Sequence, residues 1–486
     1  MSTKISKVFY GTLIHSLSLK SLEILQNTLL GIDCFGKIAF IEKDVLEEKI
    51  LNEIIVQWKF PEEEVIRLSK WQFLMPGFID THTHAPQYPN AGTGMDLPLL
   101  DWLKRYTFPL ERSYSSLSFA KKMYPTVVSR LLRNGTTTAV YFATTHLESS
   151  KYLAKLVKEN GQRGFVGKVN MDCNSPKDYV ETLDDSVKST EEFINYVLNL
   201  EEEKGESKLV YPIITPRFAI TCTSQLMSSI GSLAKKYDIP IQSHLSENLD
   251  EIEFISKLFP NLPDYTTVYD HHGLLNGKTI MAHGIHLSSK ERKLIKERDV
   301  GISHCPNSNF AICSGLCNVR QLLNEGIKVG LGTDLSAGYS KSILNAVRNA
   351  SIASRVIFMS HSSNDNDKSF PHLTLPELTY LATMGGAELV NLDKKIGNFL
   401  IGKEFDALLV DPNCNKSPLD IFDDFDDFER IFEKFMFLGD ERNLKSIYVK
   451  GKKVSGTDFE EVNLHDKELL EDLGELNGEI CSVCKK

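Results

Sequence analysis

The stretch "MPGFIDTHTHAPQYPNAG", Met75 to Gly92, decides how the rest of the chain is read. Pro76 and Gly77 interrupt what precedes them. Phe78 and Ile79 then begin a short buried strand that continues through Asp80-Thr81-His82-Thr83-His84. Successive side chains of a strand point to opposite faces, so His82 and His84 share one face. That is a two-nitrogen half of a metal site. An HxH pair alone is more often structural than ligating, so its meaning depends on what the rest of the chain offers.

Downstream, strand-like and helix-like stretches alternate. After "GFIDTHTH" the candidate strands are "TTTAVYF", "GFVGKVN", "VYPIITPRF", "IPIQSHLS", "TIMAHGI", "VGISHCP" and "KVGLGTD". Helical stretches such as "SFAKKMYPTVVSRLLRNG" and "SSKERKLIKERD" separate most of them. This rhythm predicts an α/β protein with a (β/α)8 TIM-like barrel over residues 76–390, a doubly wound sheet being the other arrangement of the same units. In a barrel the chemistry lies at the carboxyl ends of the strands. His82, His84, Arg217, His244, His283, His304 and Asp334 all fall at or near those ends. Residues 1–75 and 391–456 are β-rich and predict a small β-sandwich domain built from both chain ends. A helical insertion is expected near 418–436, where "DIFDDFDDFERIFEKF" reads as a solvated amphipathic helix. Residues 457–486 form an acidic tail, expected to make a surface helix before "CSVCKK".

The totals limit the function. A chain of 486 residues suits one large barrel with a smaller unit, and 42% hydrophobic with 25% charged residues is ordinary for a soluble protein. A net charge of −10 disfavours a nucleic-acid partner or an anionic membrane surface and suits a small, uncharged substrate. The amino terminus lacks the ordered zones of a signal peptide, and no apolar run approaches the ~18 residues of a membrane span. Nine scattered cysteines do not form a disulfide framework, which predicts reduced thiols and a cytoplasmic location.

Catalytic metal sites take imidazole nitrogen and carboxylate oxygen and leave a position open for water. With His82 and His84, the strand ends offer His244 in "QSHLSEN", His283 in "MAHGIHL" and Asp334 in "LGTDLSAG". Four histidines and an aspartate from four strands would surround one ion. A different zinc plan, H-x-E followed by P-C-x-x-C, is mimicked by His146-Leu147-Glu148 and Cys481-Ser482-Val483-Cys484. Ile480 stands where that plan needs proline, and the two halves lie at opposite ends of the chain, so the match is a coincidence.

"PGFIDTHTH", "HLSEN", "MAHGIH" and "LGTD" resemble the amidohydrolase superfamily, in particular its zinc-dependent aminohydrolases. With "HAPQYPN", "TPRFAITC", "TMGGAELV" and "GDERN" the chain is similar to the guanine deaminase family, from about Pro76 through Asp411 and again at 437–443. The resemblance implies one zinc held by His82, His84, His244, His283 and Asp334, with iron suited to the same donors. Binuclear relatives carry a lysine at the end of strand four, where this chain has Arg217. The implied reaction is hydrolysis of guanine to xanthine and ammonia, in purine catabolism. Glu247 would protonate the ring at N3, and Asp334 would accept the water proton. Gln87, Arg217 and Phe218 correspond to positions that contact the base, with Glu247 and His283 beside it. Gln87 can both donate and accept, Arg217 presents a rigid donor fork, and Phe218 can stack. His304 would lie behind the ligands or near the substrate. The family also implies a homodimer. Within the superfamily the rival is a deaminase or chlorohydrolase of adenine-type, thioadenosine or triazine rings. Outside enzymes it is a scaffold, which would lack the ligands.

Overall fold

The first two strands, β1 (Ile5–Ser18) and β2 (Ser21–Asp33), form a long antiparallel hairpin paired from Ile5 with Asp33 to Ser18 with Ser21. This computed structural model describes residues 4–200, 208–361 and 371–459; of the expected acidic tail only 457–459 fall among them, and Cys481 and Cys484 lie outside. β3 (Ile38–Glu42) returns along β2 after a turn at Gly36, where φ is +80°. A Cβ at Gly36 would stand 2.0 Å from the Lys450 carbonyl oxygen, so both the backbone angle and the space call for glycine. β4 (Val65–Arg67) and β5 (Phe73–Pro76) then lie parallel to β1.

Ten strands follow, and all of their pairings are parallel: β6 (Phe78–His84), β7 (Thr136–Phe142), β8 (Arg163–Gly167), β9 (Val169–Asn170), β10 (Val210–Pro212), β11 (Thr215–Pro216), β12 (Ile241–Leu245), β13 (Thr279–His283), β14 (Gly301–His304) and β15 (Lys328–Leu331). Every residue of β6 and β7 is buried, as strands covered on both faces require. Helices such as Leu117–Arg133, Leu147–Glu159, Ser224–Tyr237 and Ser289–Glu297 connect them. The α/β class expected from the sequence is the observed one. The parallel strands pair in the orders β10-β8-β7-β6, β11-β9 and β12-β13-β14-β15 rather than in one continuous ladder. The break comes where "GFVGKVN" splits after Gly167 and "VYPIITPRF" splits after Pro212. Backbone bonds nevertheless tie the outer edges. Asp334 N donates to His82 O and His84 N to Leu335 O, both at 2.9 Å, and Gln242 N donates to Ile214 O at 2.8 Å.

The chain returns to the first sheet as β16 (Ala407–Val410), β17 (Leu444–Val449) and β18 (Lys452–Ser455). The terminal strands thus share one mixed sheet of order β18-β17-β16-β5-β1-β2-β3, with β4 on β1. Arg163, fully buried on β8, reaches Glu404 at 2.7 Å and Asp406 at 3.0 Å, pinning this sheet to the parallel strands. The acidic run 420–427 is irregular, and the helix begins only at Phe428 and ends at Leu438. Its Ile431, Phe432, Phe435 and Met436 are buried, with Phe432 and Phe435 both 5.8 Å from the Phe73 ring. One face is therefore packed rather than solvated, because the apolar residues recur with the helical period. Among the described residues no helix is long and apolar enough to cross a membrane.

Candidate active site

The carboxyl ends of β6, β12 and β13 and the turn after β15 bring four histidines and Asp334 together. One ligating atom each from His82, His244, His283 and Asp334 lies within 4.8 Å of the others. His84 stands beside them, its Nε2 3.2 Å from His244 Nε2 and 3.4 Å from Asp334 Oδ1. His82 Nε2 is 3.2 Å from Asp334 Oδ1. A carbonyl only accepts, so His244 Nδ1, 2.6 Å from Arg217 O, carries the proton and donates it. His283 Nδ1 donates likewise to Asn309 Oδ1 at 3.0 Å. Each bond leaves the other ring nitrogen, Nε2, as a bare lone pair facing the cluster. Nε2 of His82 and of His283 forms no aligned hydrogen bond. Buried imidazoles that meet lone pair to lone pair, with a carboxylate between them, have the chemistry of a cation site.

The protonation states fit this. Burial, then the neighbouring His82, holds His84 well below its usual range, and burial with His82, His84 and His283 does the same to His244. Burial alone would raise Asp334, but His82, with Nε2 3.2 Å from Oδ1, and the surrounding imidazoles hold it well below the usual carboxylate range. Backbone strain gathers here too: Ser246, His283 and Asp334 have φ of +48°, +73° and +46°. Non-glycine residues in that region each cost ~1–3 kcal/mol and persist where the surroundings enforce them.

Glu247 follows β12 and is buried, with Oε2 3.5 Å from His283 Nε2 and Oε1 accepting from Ser314 Oγ at 3.3 Å. Burial, then the negative Asp334 and Glu251, pushes its carboxyl well above the usual range. Its backbone is fixed by Glu251, whose Oε2 accepts from Glu247 N at 3.0 Å while Tyr265 holds Oε1 at 2.8 Å. The two carboxyls that stand against the imidazole cluster are thus pushed in opposite directions, Asp334 toward the ionised form and Glu247 toward the protonated one.

A cavity opens on this set. His84, Gln87, Arg217, Phe218, His244, Glu247 and Asp334 line it, with Leu99, Trp102, Leu103 and Ala337 as its apolar wall. His82 and His283 belong to the cluster behind the lining. An open groove runs past His146 and Tyr179, but a single imidazole borders it and, among the described residues, no cluster of imidazole and carboxylate ligands gathers there, so the other cavity is the functional candidate. Glu148 pairs with Lys151 at 2.8 Å on an exposed helix face, which leaves the H-x-E look-alike without a site. His304 is buried at the end of β14 without a hydrogen-bond partner, and burial with His283 lowers its pKa to about 3.

The sequence reading missed Glu111, Asn309 and the wall of Leu99, Trp102 and Leu103. Glu111 lies in "TFPLERSY", which carries no motif that marks it. Asn309 lies three residues past "SHCP", and its place behind His283 is a tertiary fact. Only the aromatic Trp102 carried a local hint of a binding surface.

Residues 73–454 match the model of the Amidohydrolase family, and the chain belongs to that family. It is 49% identical over 457 residues to the guanine deaminase of Dictyostelium discoideum, covering 93% of this chain and 99% of that protein. Over 454 residues it is 46% identical to the guanine deaminase of Homo sapiens, covering 93% and 97%. Among solved structures it is similar to the guanine deaminase of C. acetobutylicum with guanine bound in the active site, at 36% identity and a TM-score of 0.82, covering 92% of this chain and 100% of that one.

Proposed function

We propose that this cavity hydrolyses the amino group at C2 of guanine, releasing ammonia and xanthine. Full-length similarity to guanine deaminases supports the reading. The observation that carries it is that one cavity joins the imidazole–aspartate cluster to Gln87 and Arg217, side chains suited to a purine edge. His82, His84, His244, His283 and Asp334 would hold one zinc ion, and iron accepts the same donors. When bound, the ion supplies a water that ionises near pH ~7. Asp334 would accept a proton from the attacking water. Glu247 would donate its proton to ring N3 as attack at C2 gives a tetrahedral carbon, take up the proton of the new C2 hydroxyl as the carbonyl forms, and pass it to the amino group that leaves as ammonia, the proton held by Asp334 then restoring Glu247. Gln87 and Arg217 hold the edge of the base and Phe218 covers its face, with His283 alongside.

The edge bonds from Asp334 and Gln242 support reading the parallel strands of 76–390 as one (β/α)8 barrel. Residues 1–75 with 391–456 would then be the β-sandwich domain. We read the enzyme as cytoplasmic, with a small purine base as its partner rather than nucleic acid or membrane. A homodimer is supported by the exposed row Ile352, Val356 and Met359 on helix Ile343–His361.

Ammonia release is to be measured with guanine, adenine, cytosine and a thioadenosine, with and without a zinc chelator. Guanine turnover that stops on chelation and returns with zinc is expected. Turnover of adenine compounds alone would keep the fold and overturn the substrate.

A further inference from the structure

Glu111, on the short helix Phe108–Arg112, takes no part in the steps above, yet three side chains converge on it. It is fully buried. Gln87 Nε2 donates to its Oε1 at 2.9 Å, and the Tyr179 hydroxyl donates to its Oε2 at 2.8 Å. Arg217 Nη1 pairs with the same Oε2. Gln87 and Arg217 both line the cavity, so Glu111 holds two of its polar walls from behind.

A carboxylate only accepts. Gln87 must therefore turn its NH2 group to Glu111, and its carbonyl oxygen, which accepts from Ser336 N at 3.5 Å, keeps a second lone pair as an acceptor. Arg217 is further fixed over the Phe108 ring at 5.1 Å. One of its N–H groups is engaged by Glu111, and the guanidinium keeps others as donors. Without Glu111 the Gln87 amide could rotate by half a turn and exchange acceptor for donor. A buried ion pair is weak evidence for stability, because desolvation offsets much of its attraction. Its geometric effect here is definite.

A donor fork beside an acceptor carbonyl complements a lactam edge, in which a ring N–H adjoins a C=O. It opposes an edge that carries an amino group beside a bare ring nitrogen. We propose that Glu111 is the positioning residue that sets this polarity, making the cavity selective for 6-oxopurines over 6-aminopurines. The proposal rests on the guanine reading above and deepens it.

The test is steady-state kinetics of the zinc-loaded enzyme on guanine and on 2,6-diaminopurine, which carries the same C2 amino group but an amino group at C6. Glu111→Gln keeps the size but can donate, so Gln87 can invert. Its KM for guanine should rise ~10–100-fold while kcat changes less than ~5-fold, the loss of oriented binding without loss of chemistry. The preference for guanine in kcat/KM should fall at least ~10-fold. Tyr179→Phe removes one bond to the carboxylate and should shift the preference the same way by ~3-fold. A folded Glu111→Gln with unchanged preference, or with kcat lowered equally on both substrates at constant KM, would overturn the proposal. If Glu111→Gln fails to fold or to turn over, Tyr179→Phe decides, and an unchanged preference there overturns it. Failure of the wild type to release ammonia from guanine would defeat the substrate reading itself, and this proposal with it.

Discussion

Asn309 shows how much at this site depends on single atoms. Its Oδ1 accepts the Nδ1 proton of His283 and thereby keeps Nε2 bare toward the cluster. Asn309→Ala should leave the ring free to turn and weaken metal retention by ~10–100-fold, measured by competition with a graded chelator. Glu247 stands 3.5 Å from His283 Nε2, and burial beside Asp334 and Glu251 raises its pKa well above the usual carboxylate range. Glu247→Gln should retain stoichiometric metal while guanine turnover falls by ~10²–10⁴-fold. Near-full turnover with metal in place would remove Glu247 from the reaction. The two variants separate the roles, since one loses metal and the other loses chemistry.

At the scale of elements, the packing of β8 and of β1 makes its own predictions. Arg163 lies on β8 with its guanidinium fully buried between Glu404 and Asp406. Arg163→Leu would remove the cation from between two buried carboxylates and should lower stability by ~3–5 kcal/mol, read as a shift in the urea midpoint. Replacing the charges together with apolar residues should cost far less. His15, buried on β1, has its pKa lowered from 6.5 to about 4, because burial outweighs the nearby Glu23. The unfolded chain thus binds the proton more tightly than the folded one. The stability involved is present above pH ~6.5 and is lost as pH falls toward ~4, on the order of 3 kcal/mol at most. His15→Gln should flatten the decline in urea midpoint over that window. If wild type and variant fall in parallel, His15 is not the group responsible.

For the whole molecule, a buried cluster contributed by β6, β12, β13 and the turn after β15 would couple the binding of an ion to folding. An ion that binds only the folded state stabilises it in proportion to the logarithm of its concentration over Kd. Stripping metal should therefore lower Tm by several degrees in calorimetry as activity disappears, and zinc should restore both. The HxH pair, the strand-and-helix rhythm and the donors at strand ends were legible in the sequence because each is a local pattern. Alternation puts His82 and His84 on one face, and apolar strands between helices predict parallel pairing. His244, Glu247, His283 and Asp334 could be picked out because each closes or follows such a strand. The apolar face of helix Phe428–Leu438 was present in the spacing, but the acidic residues ahead of it hid that it packs on Phe73. The splitting of two predicted strands depends on how edges meet. Glu111 had no local signal at all, since its partners Gln87, Tyr179 and Arg217 are brought to it only by folding. The sequence by itself determined the elements and the donors at their ends, because periodicity and residue chemistry act over a few positions. Only the tertiary structure decided which lone pairs face inward, which carboxyl is pushed toward protonation and what holds the cavity's polar walls, because those depend on burial and on contacts between residues far apart in the chain.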